Sequence, residues 1–298
     1  QGEAALAALD FYAHCDLQLN PTARYADVVL PVASPWERPG LMGGFGVDQR
    51  ADAHLQLRPP TIPPRAEAKP ETWIVFELAK RLGLGEHFFG GDMEAGLRHV
   101  LAPSGVSLEE LREHSEGAQL HLETRYYKYR ESGFNTPSRR VEVYSERLLE
   151  AGQAPLPDYV EPAMSPRTQP ELGKRFPLVL TSAKRVPYCH SQHRNIPRLR
   201  KHAPEPQIEL HPDTADARGI ADGDEVLVSS PYGEMRALAQ FNESLDPGVV
   251  CAHYGWWSTA DEKKGGANYA ALIGNEAADP VSGSLALRSY LCEVRPVS

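Results

Sequence analysis

The stretch LTSAKRVPYCHSQHRN, residues 180–195, is where the reading of this chain begins. It enters as the end of an apolar strand, PLVLTS at 177–182, and continues as a loop crowded with polar donors. Thr181, Ser182, Lys184, Arg185, His190, Ser191, Gln192, Arg194 and Asn195 all fall within it. Between Leu172 and Pro204 there is no Asp or Glu, yet Lys174, Arg175, Lys184, Arg185, Arg194, Arg198, Arg200 and Lys201 are present. The whole chain carries a formal charge of −9, so this cationic island departs from its surroundings. Hydroxyls, amides and guanidiniums on a loop leaving a strand suit a phosphorylated ligand, because charge-assisted and bidentate bonds to phosphate are the strong ones. The competing reading is a solvated basic loop with no ligand.

Working outward, 298 residues are enough for two domains, and 41% hydrophobic with 24% charged residues reads as a soluble globular chain. The 24 glycines and 26 prolines predict many turns and extended connectors rather than a helical bundle. An acidic balance argues against general nucleic-acid binding, which depends on neutralising phosphates. No apolar run approaches the ~20 residues of a membrane span. Cys15, Cys189, Cys251 and Cys292 are scattered without a Cys-x-x-Cys pair, so no iron–sulfur or zinc-ribbon pattern is present, and they read as reduced core or loop residues. The chain opens at Gln1 with neither an initiator Met nor a signal peptide, and reads as a piece of something longer.

Before the island the pattern is α/β. Strands are expected at 11–15 and 27–31, a glycine-rich turn without phosphate-loop spacing at 40–46, and a proline-rich connector at 59–70. A helix follows at 71–82, with Pro70 at its start, Gly83 past its end, and Ile74, Val75, Leu78, Ala79 and Leu82 as a core stripe. Shorter helices are expected at 93–101, capped by Asp92, and at 108–114, where Ser107 and Glu110 have capping-box spacing. Val141 to Tyr144 alternates as a strand, and a short helix follows Ser145. The six prolines of 155–177 mark a linker that can sustain neither a helix nor a central strand. Beyond it come about six short strands: 177–182, 208–210, 225–230, 234–242, 248–253 and 290–294. A small closed barrel accommodates that pattern.

Taken together, these segments resemble the molybdopterin-guanine-dinucleotide oxidoreductases, the dimethyl sulfoxide reductase family. The resemblance runs through NPTARYADVVLP (20–31), WERPGLMGGFGVDQR (36–50), AKRLG (79–83), GFNTPSRRVEVYSERL (133–148), LTSAKRVPYCHSQHRN (180–195), HPDTADARGIADGDEVLVSSPYGE (211–234), LDPGVVCAHYGWW (245–257) and DPVSG (279–283). The GFNTPS…VEVYS string looks most like the thiosulfate/polysulfide reductase branch. The resemblance implies that residues 1–160 are the end of an incomplete dinucleotide-binding-like α/β domain. It implies that residues 161–298 form a six-stranded double-psi β-barrel that contacts pterin dinucleotides. It also implies that Thr181, Ser182, Lys184, Arg185, His190, Ser191, Gln192 and Arg194 contact the cofactor, molybdopterin guanine dinucleotide. His253, Gly255, Trp256 and Asn268 fall where later loops return to it, and Asp16 and Thr22 where the upstream domain reaches it. The metal, molybdenum or tungsten, its protein ligand, and an iron–sulfur cluster are implied only for a missing N-terminal part before Gln1, and electron-transfer subunits are possible further partners.

The expected function is therefore the cofactor-binding C-terminal portion of an oxidoreductase catalytic subunit, inactive by itself. The alternatives are a stand-alone module that binds a dinucleotide or a partner without catalysis, and a purely structural barrel. A zinc set from Cys189, His190, His193 and His202 lacks finger spacing, and a thiol nucleophile at Cys15 has neighbours on opposite strand faces. Asp222 and Asp224 around Gly223 read as a turn, Trp257 reads as core, and Trp256 is open between core and ligand contact.

Overall fold

Strand β1 (Ala13–Asp16) lies parallel to β2 (Val28–Pro31), with Ala13 opposite Val28 and Asp16 opposite Pro31. This comes from a computed structural model, which describes residues 2–44, 46–123, 125–256, 266–276 and 278–297. The chain packs as two units, Gln1–Phe134 and Asn135–Ser298.

In the first unit, β3 (Gly40–Met42) pairs antiparallel with β4 (His54–Arg58), which pairs in turn with β5 (Ala118–Gln119). The glycine-rich segment expected as a turn thus begins as a strand, because the main chain at Leu41 finds a partner in Leu57. Under this sheet Leu101, Leu108 and Leu111 are buried against Leu41, Leu55, Leu57 and Leu97. Their helices are capped as the sequence predicts. Asp92 accepts from the Glu94 and Ala95 amides at the start of Met93–Leu101, and Ser107 accepts from the Glu110 amide at the start of Leu108–Glu113.

The helix Glu71–Arg81 forms as predicted, and Gly83 follows it with φ +78°. Its stripe is only partly used. Ala79 is buried, while Val75, Leu78 and Leu82 are 49%, 55% and 65% exposed. Phe76, off the predicted stripe, carries the packing instead, edge-on to Phe88 at 5.6 Å between ring centres. Periodicity says that a helix has an apolar face, not which neighbour will cover it.

The second unit is a closed six-stranded barrel of the double-psi type. Its strands are β6 (Leu178–Ala183), β7 (Gln207–Leu210), β8 (Glu225–Ser229), β9 (Glu234–Phe241), β10 (Val249–His253) and β11 (Tyr290–Pro296), in the order β10-β6-β11-β8-β9-β7. Two pairs are parallel, β6 with β10 and β7 with β9, and the other four are antiparallel. Alternate residues point inward. Leu178, Leu180, Ile208, Leu210, Val226, Val228, Met235, Ala237, Ala239, Val250, Ala252 and Tyr290 fill the interior. Asp222 and Asp224 make the predicted turn, accepting from the Phe241 and Ala221 amides, with Gly223 between them at φ +87°.

Two sequence expectations in this unit are corrected. Residues 141–144 are not a strand. Val141 and Val143 are 65% and 72% exposed, and alternation without a hydrogen-bonding neighbour makes no ladder. The proline-rich stretch does sustain a helix, Pro170–Arg175, because Pro170 sits in its first turn, where no amide donor is required. Nearby Met164 packs against the barrel core, so the end of this stretch belongs to the barrel's wall. Trp257 lies outside the described residues.

Candidate functional site

Strand β6 delivers the organising loop over the exit of its parallel neighbour β10, since His253, the last residue of β10, pairs with Ala183. Arg194 pins the two together. It is 4% exposed, and its guanidinium donates to the carbonyl of His190 in its own loop and to that of Tyr254 beyond β10, the latter at 2.8 Å. The same guanidinium lies 4.4 Å from the Tyr188 ring centre and 4.9 Å from that of Trp256, while Arg200 lies 4.8 Å from Trp256. Charge-assisted bonds of this kind contribute about 1.5–3 kcal/mol each, and ring contacts about 0.5–2.

The loop's backbone is bent to fit. His190 and His193 have φ of +53° and +71°, the left-handed region that ordinary side chains avoid, and His190 Nδ1 meets the Tyr254 hydroxyl at 2.9 Å. Gly255 permits this approach: with φ +89°, a Cβ there would stand 2.6 Å from the His190 carbonyl oxygen. Tyr188 closes the loop's far side, its hydroxyl donating to the Ala203 carbonyl at 2.6 Å.

Beside the exit of β10 lies an acid that the cationic stretch itself lacks. Glu209 on β7 pairs with Cys251 on β10, and since Ile208, Leu210, Val250 and Ala252 face the interior, Glu209, Cys251 and His253 share the barrel's outer face. Glu209 Oε1 is 2.6 Å from His253 Nε2, and Oε2 accepts from Asn242 Nδ2 at 2.6 Å. Burial drives the His253 pKa down, assisted by Arg185 and Arg194, and outweighs the Glu209 carboxylate pulling it up. For Glu209, burial raises the pKa, but the bonds from His253 and Asn242 and the charges of His253 and Arg185 bring it below the ordinary carboxylate range. Both directions fit one state, an ionised Glu209 beside a neutral His253.

Three polar atoms here are buried and have no hydrogen-bond partner among the described residues: His253 Nδ1, Arg185 Nε and Trp256 Nε1. Buried polar groups are nearly always paired, and leaving one unpaired costs about 1–3 kcal/mol. One acceptor and two donors at the loop and the β10 exit suit a ligand that brings polar groups of both kinds.

The remaining predicted residues have varied settings. Lys184, Ser191 and Gln192 are exposed on the loop, and Thr181 and Ser182 are half-buried in β6, where Ser182 hydrogen-bonds Tyr269. Burial pushes the Tyr269 pKa up to about 12. Asn268 caps the short turn Tyr269–Leu272 by accepting from the Ala270 amide. Asp16 and Thr22 belong to the first unit, the former ending β1 and the latter following it. There Asp16 accepts from Asn20 Nδ2 at 2.7 Å, and Asn20 accepts from the Thr22 amide at 2.9 Å. Glu209, Asn242, Tyr188 and Tyr254 are the site residues that sequence reasoning passed over. The strand QIEL (207–210) does show an acid on an outward position, but not what would cover it. Among the described residues no three His, Cys, Asp or Glu side chains form a metal set, and no helix is long and apolar enough to cross a membrane.

Comparison with known proteins meets the same two parts of the chain. Residues 178–291 match the molydopterin dinucleotide binding domain, and residues 1–81 match the molybdopterin oxidoreductase family. Acetylene hydratase of Syntrophotalea acetylenica is 30% identical over 252 residues, covering 84% of this chain and 33% of that protein. A putative dimethyl sulfoxide reductase catalytic subunit from Halobacterium salinarum is 32% identical over 262 residues, covering 85% and 30%. The thiosulfate reductase molybdopterin-containing subunit PhsA of Salmonella typhimurium is 26% identical over 302 residues, covering 93% and 38%. Among solved structures, acetylene hydratase from Pelobacter acetylenicus superposes with a TM-score of 0.84 at 28% identity, covering 98% of this chain and 41% of that one. The chain spans about a third of the length of the curated relatives it matches.

Proposed function

The chain belongs to the molybdopterin oxidoreductases, and from that premise we propose that it is the cofactor-holding portion of a catalytic subunit, with the loop after β6 and the exit of β10 gripping molybdopterin guanine dinucleotide. The observation that carries this reading is the set of orphaned polar atoms on His253, Arg185 and Trp256, grouped where the matched dinucleotide-binding domain is richest in cations. The exposed Lys184, with Ser191 and Gln192, supplies donors to the pyrophosphate, Arg185 a half-buried guanidinium, and Thr181 and Ser182 hydroxyls at the loop's root. Asn268 is assigned to the same cofactor from the turn after β10, Arg194, Gly255 and Trp256 hold the loop in place around it, and within the first unit Asp16 and Thr22 are taken as cofactor contacts. The functional division falls near residue 160, with residues 161–298 as the cofactor-binding barrel.

When bound, the cofactor supplies oxygen-atom or electron transfer at molybdenum or tungsten, and the chain's own part is to orient it and set the charge around it. An iron–sulfur cluster, the metal's protein ligand and electron-transfer subunits enter this reading as contributions from outside these residues. The chain by itself is accordingly without turnover, and metal analysis with a dye-linked assay on the purified chain checks this. Stoichiometric metal together with turnover would refute it.

Binding is tested separately by titrating the chain with guanosine diphosphate and with inorganic pyrophosphate. Replacing Lys184 with Ala removes one charge-assisted contact of about 1.5–3 kcal/mol, so affinity for both should fall roughly ten- to a hundredfold while the melting temperature holds. A variant that binds like the parent would remove Lys184 from the site.

A further inference from the structure

The sequence offers His253 as a ligand contact but does not say what it can contact. An ionised carboxylate has no proton to give, so in the 2.6 Å contact between Glu209 and His253 the imidazole Nε2–H must be the donor. A neutral imidazole that donates from Nε2 leaves a lone pair on Nδ1, and that atom is the one buried without a partner among the described residues. Resting on the reading given above, we propose that Glu209 is a positioning residue that locks His253 as the Nε2–H tautomer, so that Nδ1 accepts a hydrogen bond from an N–H of the cofactor's heterocycle. The partner is thus a purine or pterin ring edge and not the pyrophosphate, which is itself an acceptor.

The surroundings agree with this assignment. His253 is 1% exposed, and the second Glu209 oxygen is engaged by Asn242, which orients the carboxylate before any ligand arrives. Arg185 and Arg194 act on the imidazole from the loop and disfavour a second proton on it. The arrangement copies the logic of a carboxylate–histidine pair at a metal, in which one ring nitrogen is held so that the other is available. Here the available nitrogen is assigned to a hydrogen-bond donor of the ligand.

The test begins with the intact 298-residue chain, its histidines labelled with nitrogen-15. In the parent, His253 should show a pyridine-type Nδ1 and a pyrrole-type Nε2 at neutral pH. The opposite tautomer, or a doubly protonated ring, would overturn the proposal without any variant being made. Guanosine diphosphate and a soluble pterin such as neopterin are then added separately, with inorganic pyrophosphate as the arm lacking a heterocycle. At least one heterocycle should move the Nδ1 resonance, which identifies the purine or the pterin end, and pyrophosphate should leave it in place. Glu209→Ala should mix the tautomers and weaken that heterocycle about tenfold, the loss of one hydrogen bond, with pyrophosphate affinity unchanged. Asn242→Ala, which keeps the bond between Glu209 and His253, should retain the tautomer. If a heterocycle binds and Glu209→Ala binds it equally well, the proposal fails while the cofactor-holding function stands. If no probe binds the parent chain, both fall together.

Discussion

Arg194 and Lys184 carry the same charge on the same loop, and their surroundings assign them opposite tasks. Lys184 is exposed and free to meet a ligand, whereas Arg194 spends its donors on two carbonyls and its faces on Tyr188 and Trp256. In the sequence the two look alike, as cations on one polar loop. The structure divides them: Lys184→Ala should shift stability by no more than about 0.5 kcal/mol, while Arg194→Ala should cost about 2–4 kcal/mol by removing two charge-assisted bonds to part-buried carbonyls. Chemical denaturation of the two variants side by side checks this, and equal midpoints would show that Arg194 is no pin. The Glu209 and His253 pair predicts a pH dependence. A His whose folded pKa lies below its ordinary 6.5 is protonated more readily when unfolded, so its contribution is full above that value and is lost as pH falls through it. Glu209, also lowered, adds a loss in the same direction further into acid, below its ordinary 4.5. The melting temperature should therefore decline on acidification from about pH 7 to 5, and His253→Gln should flatten that decline. An unchanged slope in the variant would place the acid sensitivity elsewhere.

At the scale of elements, the junction between the loop and β10 depends on Gly255. Gly255→Ala would place a methyl group 2.6 Å from the His190 carbonyl at a φ of +89°, and either clash or strain forces the loop away. The expected result is a loss of at least about 1–2 kcal/mol together with weaker pyrophosphate binding, read by denaturation and titration on one preparation. Binding lost with no change in stability would mean that the glycine touches the ligand directly. The helix Glu71–Arg81 teaches the complementary point: its apolar period was plain in the sequence, yet Val75, Leu78 and Leu82 stay exposed while Phe76 packs.

At the scale of the molecule, the two units meet in sequence at Phe134 and Asn135, and the residues just beyond that point are highly exposed. From Met164 onward the chain is committed to the barrel, with Ser165 buried and the helix Pro170–Arg175 following. Limited proteolysis should therefore cut within residues 136–160, not throughout the proline-rich stretch, and release a stable fragment that starts before Met164. Mass spectrometry of the fragment gives its first residue, and a stable product beginning at Leu178 would show that the preceding segment is dispensable to the barrel.

The strands of the barrel, the capped helices and the cationic loop were all legible in the primary structure, because each rests on local chemistry: alternation, capping side chains, and a run of like charge. The family was legible too, since ordered strings along the chain carry it. What folding decided is which of those residues face one another. Glu209 reads as an ordinary outward acid until β7 lies beside β10 and His253 meets its carboxylate. Arg194 reads as one more surface cation until the Tyr254 carbonyl, sixty residues away, accepts from it. Charge and periodicity are properties of neighbours along the chain, but burial and pairing belong to neighbours in space, and only barrel closure brings these together.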